Sequence, residues 1–180
     1  YDLMNEPHDM GATSWATIAQ AAVNAIRQVD SGHTILVPGD CWSGAWTWAS
    51  CNSGLILSDP AGNLVYEAHQ YFDRDGSGTY ANSYDTDGAT ATTGADRLKP
   101  FANWLAANGL RGYIGEFGAP NSDPRWQTVL DNFLGAMAGY HLMGTAWSGG
   151  PWWGSTYPLR LDPVNGADEP SVTTIVARLR

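Results

Sequence analysis

The chain has 180 residues, 43% hydrophobic and 15% charged, enough apolar material for one ordinary domain with a real core and too much for a disordered chain. A net charge of −9 with only nine Lys and Arg leaves no basic patch for phosphates, which argues against nucleic acid and anionic membranes as partners. No apolar run reaches the length of a bilayer span, and there is no signal peptide and no initiator Met, so the expectation is a mature product or a fragment.

In chain order, Tyr1 to Asn5 reads as a buried strand that stops at Glu6 and Pro7. Ser14 and Trp15 open a helix whose apolar positions, Trp15, Ile18, Ala19, Ala22, Ile26 and Val29, recur at helical spacing until Ser31 and Gly32. Thr34 to Val37 is the next strand, and a strand, one helix and a strand predict a parallel βαβ crossover. Residues 40–60 read as a long β-to-α loop holding one short helix. Cys41 and Cys51, ten apart, fit either a disulfide in a secreted protein or two buried thiols.

Leu64 to Tyr71 is the third strand, and strand alternation puts Glu67, His69 and Tyr71 on one face. Residues 73–93 are rich in Gly, Ser, Thr and Asp and read as a surface loop. Asp73 to Gly78 hints at a calcium loop, but the position that should supply a bidentate Glu holds Tyr84, so a solvated turn is the expectation. A helix runs through Phe101, Trp104 and Leu105, with Pro100 near its first turn and Asn108 and Gly109 as its stop. Arg111 to Gly118 is a strand ending in Glu116. Asp123 and Pro124 start a helix with the stripe Trp126, Val129, Leu130, Phe133, Leu134 and Met137. Leu142 to Trp147 is a fifth strand, and Val172, Ile175, Val176 and Leu179 mark a terminal helix.

Strand–helix alternation with polar and aromatic residues at strand ends is the layout of a (β/α)8 barrel, here with about five parallel strands in a single domain over residues 1–180. Glu6 and Glu116, each at the tip of a strand, are the two carboxyls that glycoside cleavage needs. The four His lack zinc-ligand spacing and the cysteines lack partners, so no metal is expected. Five parallel strands leave two open edges, which predicts a homodimer or pairing with a missing N-terminal half-barrel.

Asn5-Glu6-Pro7 after a strand, His69-x-Tyr71, Glu116 in Gly-Glu-Phe-Gly, and Trp147 closing the last strand together resemble glycoside hydrolase family 5, most of all its secreted endo-β-1,4-glucanases, the cellulases. The resemblance implies strands four to eight of the barrel, a retaining double displacement on cellulose or related β-glucans, and no cofactor. It implies Glu6 as acid/base and Glu116 as nucleophile. It also implies Asn5 on the sugar 2-hydroxyl, Tyr71 beside the nucleophile, His69 on the same face, and Trp147 beneath the sugar next to the bond cut. Trp42, after another strand end, is a candidate second platform, whereas Trp15, Trp104 and Trp126 sit on helix faces and are expected to be packing. The alternatives are an inactive partial barrel that binds polysaccharide through exposed Trp residues, and a glycanase acting on mannan or xyloglucan.

Overall fold

The computed structural model describes residues 1–179. Its elements are α1 (Trp15–Arg27), β1 (Ile35–Pro38), α2 (Trp48–Cys51), β2 (Leu64–Gln70), α3 (Thr93–Asn108), β3 (Gly112–Phe117), α4 (Pro124–Gly139), β4 (Met143–Ala146) and α5 (Pro170–Arg178). The four parallel strands form one sheet in the order β1-β2-β3-β4, so each strand lies beside the next in sequence and a crossover returns the chain each time. The register of the first pair runs from Ile35 opposite Leu64 to Pro38 opposite Glu67.

The strand expected over residues 1–5 is reduced to one parallel bridge, Asp2 to Leu36. Leu36 N donates to Tyr1 O (2.6 Å) and Leu3 N to Leu36 O (3.3 Å), after which pairing ends. Glu6 has left the extended region altogether, with φ +43°.

The chain folds as two compact units. The first comprises Tyr1–His69 and Pro100–Tyr113. Ser14 caps α1, its Oγ accepting from Thr17 N at 3.3 Å, and Trp15, Ala19 and Val23 form its buried face. Val29, expected on that face, lies beyond the helix end and is exposed, because the last helical turn closes at Arg27. Every residue of β2 from Tyr66 to Gln70 is buried, so both faces of this strand are covered. Trp48 packs on Phe101 (ring centroids 4.5 Å) and Trp104 (5.4 Å), and Tyr66 meets Trp104 edge-on at 5.0 Å. Cys41 and Cys51 are joined as a disulfide across a Cα separation of 6.2 Å, which resolves the choice the sequence left open.

The second unit comprises Gln70–Lys99 and Ile114–Arg180, of which residue 180 lies outside the described part. Asp123 caps α4, accepting from Arg125 N at 2.9 Å, with Pro124 at the first helical position. The α4 stripe is buried at Trp126, Val129, Leu130, Phe133 and Met137. Phe133 contacts Phe72 (5.1 Å) and Phe117 (5.5 Å), and Trp126 contacts Tyr80 (5.1 Å). Trp15, Trp104 and Trp126 are all buried packing residues.

Helix α3 begins at Thr93, two turns earlier than expected, and Pro100 lies inside it rather than in its first turn. A proline there removes one amide donor, and the polar run before it, Thr93-Gly94-Ala95-Asp96, carries no apolar stripe to betray those turns.

Candidate active site

In the first unit the chain turns sharply after Leu3, and Glu6 holds a left-handed backbone conformation that a side chain other than glycine rarely adopts. The Glu6 carboxylate is partly exposed, and its Oε1 lies 2.8 Å from His69 Nδ1. His69 is buried near the C-terminal end of β2, and its Nε2 lies 3.7 Å from Glu67 Oε1. The strand is clamped there: His69 N donates to Ser43 O (2.8 Å), and Ala45 N donates to His69 O (3.0 Å). Asn5 is exposed and its side chain makes no hydrogen bond with a described residue, so it is not spent on a local turn.

Three consecutive residues, Cys41, Trp42 and Ser43, have φ of +55 to +56° without any being glycine. The Cys41–Cys51 bridge, the bond from Trp42 N to Pro7 O (3.1 Å) and the Ser43 Oγ bond to Glu67 O (2.6 Å) hold this turn in place. It lifts Trp42 to the surface, 53% exposed, with its indole stacked on the His8 ring at 4.5 Å and 13° between planes. His8, which the sequence left without a role, also ties back to Glu6 O through Nδ1 at 2.7 Å. No residue type in the sequence marks either the left-handed run or this stack.

In the second unit Tyr71, buried just past β2, donates its hydroxyl hydrogen to Glu116 Oε2 at 2.7 Å. The loop that hinted at calcium packs against this tyrosine: a Cβ on Gly78, φ +74°, would come within 2.9 Å of the Tyr71 ring. Its Asp73 carboxylate is buried and accepts from Gly78 N, Tyr80 N and Ser77 Oγ, all at 3.1 Å, so the chain's own donors satisfy it. Arg97 anchors the same stretch by donating to Tyr71 O (2.9 Å) and Asp73 O (2.6 Å).

Trp147 follows β4, its N donating to Phe117 O at 2.8 Å, one residue past Glu116. Gly118 permits this approach, since a Cβ there would sit 2.6 Å from Trp147 O. The Trp147–Ser148 peptide bond is cis. The Trp147 indole is half-buried, donates from Nε1 to Tyr157 Oη (2.9 Å) and meets Trp153 edge-on, while Trp153 stacks on Tyr157 at 4.2 Å. Burial raises the Tyr157 pKa, and the Glu116 charge adds to the rise. Trp152, which the sequence left unassigned, is almost wholly exposed in the same loop. The sequence did not single out Tyr157, ten residues past Trp147 in an irregular stretch.

Parallel strands in sequential order with flanking helices are the construction of a (β/α) barrel, here a part of one. The chain belongs to glycosyl hydrolase family 5, the cellulase family, whose model matches residues 1–152. It is 38% identical over 172 residues to an endo-β-1,4-glucanase A of Emericella nidulans, covering 92% of this chain and 50% of that protein. Among solved structures, a Pseudomonas stutzeri endoglucanase in complex with cellobiose superposes with a TM-score of 0.93 at 39% identity, over 100% of this chain and 54% of the other. An endo-β-1,4-glucanase of Xanthomonas axonopodis pv. citri gives a TM-score of 0.90 at 35% identity, over 99% and 58%. The chain therefore spans about half the length of the curated relatives it matches.

Proposed function

We propose that this chain carries the acid/base and nucleophile of a retaining endo-β-1,4-glucanase, with Glu6 as acid/base and Glu116 as nucleophile. The observation that supports this best is that each glutamate is held by one side chain, Glu6 Oε1 by His69 Nδ1 at 2.8 Å and Glu116 Oε2 by the Tyr71 hydroxyl at 2.7 Å. A carboxylate fixed by one strong hydrogen bond keeps its other oxygen aimed at substrate.

Glu116 attacks the anomeric carbon while the glycosidic C–O bond breaks, and the Glu6 proton passes to the leaving oxygen. Glu6, now ionised, takes a proton from water as that water attacks the same carbon, and Glu116 is released as a carboxylate. The chemistry requires the two carboxyls to stand about 5 Å apart across the bond being cut. Asn5 reaches the 2-hydroxyl, Trp147 lies beneath the sugar beside the scissile bond, and Trp42 offers a platform further along the chain of sugars. The substrate is a β-1,4-glucan, and no cofactor takes part. The disulfide fits a secreted protein, since such bonds persist in oxidising compartments.

The edge strand β4 is largely exposed along its length, including Met143. This supports pairing of the chain with a second copy or with an N-terminal half-barrel; a stable monomer by light scattering would remove that part of the reading.

A mechanism-based 2-fluoroglycoside that labels Glu116, with loss of turnover and retained cellulose binding in Glu116→Gln, is the decisive result. Binding without turnover or labelling by the wild-type chain would favour a polysaccharide-binding role instead. A panel of glucan, mannan and xyloglucan fixes the substrate.

A further inference from the structure

Behind Glu6 the first unit buries a second acid that the double displacement does not use. Glu67 is 5% exposed, and its Oε2 accepts no hydrogen bond from a described residue. Burying a carboxylate with an unmet oxygen is costly, so whatever faces it matters. Its Oε1 faces His69 Nε2 at 3.7 Å, and the opposite ring nitrogen, Nδ1, meets Glu6 Oε1 at 2.8 Å. The backbone leaves these groups little freedom: Ser43 Oγ donates to Glu67 O, and Ser43 O accepts from His69 N. Asp2, exposed as a residue, also faces this pair: its carboxyl is pushed up by loss of solvent first, then by the Glu67 charge and a side-chain hydrogen bond with Glu67, while the Met4 amide and His69 draw it down.

An imidazole between two carboxylates has three proton arrangements. With a proton on Nδ1 alone, the Nε2 lone pair points at the Glu67 carboxylate. With a proton on Nε2 alone, the Nδ1 lone pair points at Glu6 and draws the acid proton onto Oε1, away from substrate. A ring protonated at both nitrogens donates to Glu6 and presents a positive charge to Glu67 at 3.7 Å.

We propose that Glu67 is a positioning residue for Glu6: it holds His69 as an imidazolium whose Nδ1–H occupies Glu6 Oε1, leaving Oε2 as the oxygen that carries the catalytic proton. As that proton leaves, the new charge on Glu6 is met by a cation already in place, with no reorganisation. The pairing of Glu67 with His69 offsets the burial cost of both. This inference rests on the reading of Glu6 as acid/base.

The test is the nitrogen spectrum of the full chain labelled with 15N-histidine at neutral pH. Both His69 ring nitrogens are expected to carry protons in the wild type, and Glu67→Gln is expected to leave only one. Asp2→Asn, which keeps the Glu67 carboxylate, should retain both, and separates loss of this charge from general disturbance of the array. A neutral His69 in the wild type, or an unchanged pattern in Glu67→Gln that retains the wild-type amide spectrum, overturns the proposal. Where turnover is measured, Glu67→Gln should lower kcat on cellooligosaccharides about tenfold or more at unchanged KM, and far less on a dinitrophenyl glycoside, whose leaving group needs no proton. Equal losses on both substrates would overturn the positioning role. If Glu6→Gln shows no such dependence on the leaving group, the acid/base reading fails, whereas the His69 spectrum still decides what Glu67 does.

Discussion

If Glu116 is the nucleophile proposed above, the Tyr71 hydroxyl 2.7 Å from its carboxylate would do two things: fix the direction of attack, and take up charge as the leaving carboxylate is restored. Tyr71→Phe removes only that oxygen from a ring already packed by the Gly78 turn, so the fold should survive. A hydrogen bond to a charged group is worth ~1.5–3 kcal/mol, so kcat should fall roughly 10- to 100-fold with little change in KM, read by steady-state kinetics on a soluble cellooligosaccharide. Trp42 acts differently. Its indole is exposed and stacked on His8 rather than buried, so Trp42→Ala should raise KM by a few-fold and leave kcat nearly intact. A fall in kcat without a rise in KM would place Trp42 in the chemistry and sink the platform role.

At the level of elements, the helices and strands whose apolar residues keep a clear period were legible. The α4 stripe from Trp126 to Met137 and its Asp123–Pro124 start stand in the structure as the sequence indicates, save that Leu134 is only half-buried, because cap and stripe agree. The alternation in β2 put Glu67 and His69 on one face, and their side chains do approach each other, to 3.7 Å. What stayed hidden depends on backbone angles or on partners distant in sequence. The left-handed run Cys41–Ser43 contains no glycine, and the first turns of α3 contain no stripe. The sequence reads Glu67 as a structural ion or hydrogen-bond partner, and only the fold shows that it faces His69 at 3.7 Å. The left-handed run also makes a prediction. Its conformation is unfavourable by itself, and the disulfide closes a ten-residue separation around it. Replacing both cysteines, Cys41→Ser with Cys51→Ser, should cost about 2–4 kcal/mol in chemical denaturation. The same variant should also weaken substrate binding as Trp42 loses its support. Lost stability with unchanged KM would mean that the turn holds without the bridge.

For the molecule as a whole, acid acts on stability through its paired carboxylates. Arg27 lies on Asp59 through two parallel bonds, Nε to Oδ1 (2.8 Å) and Nη2 to Oδ2 (3.0 Å), with both side chains almost out of solvent. Asp59 also accepts from Asn63 N and Ala61 N, and the Arg27 bond first, then these amides, bring its carboxyl down to about 2. A carboxyl whose folded pKa lies below its unfolded value of ~3.9 contributes stability that is complete above that value and is lost as pH falls toward the folded one. The contribution of Asp59 should therefore disappear between about pH 4 and pH 2. Other carboxylates are held low in the same direction, Asp131 by Arg178 and Asp85 and Asp123 by Arg125, but these pairs are exposed. Salt separates the two kinds, because it screens exposed pairs and leaves a buried one nearly untouched. Urea midpoints across this range should fall with pH in the wild type even at ~1 M NaCl, whose screening length is about 3 Å. Asp59→Asn should be less stable at neutral pH and should show much less of this fall in high salt. A fall that vanishes with salt in the wild type would assign acid sensitivity to the surface pairs, and one that persists in full in Asp59→Asn at high salt would assign it to another carboxylate, such as Asp30, which the His33 and Gly32 amides hold down.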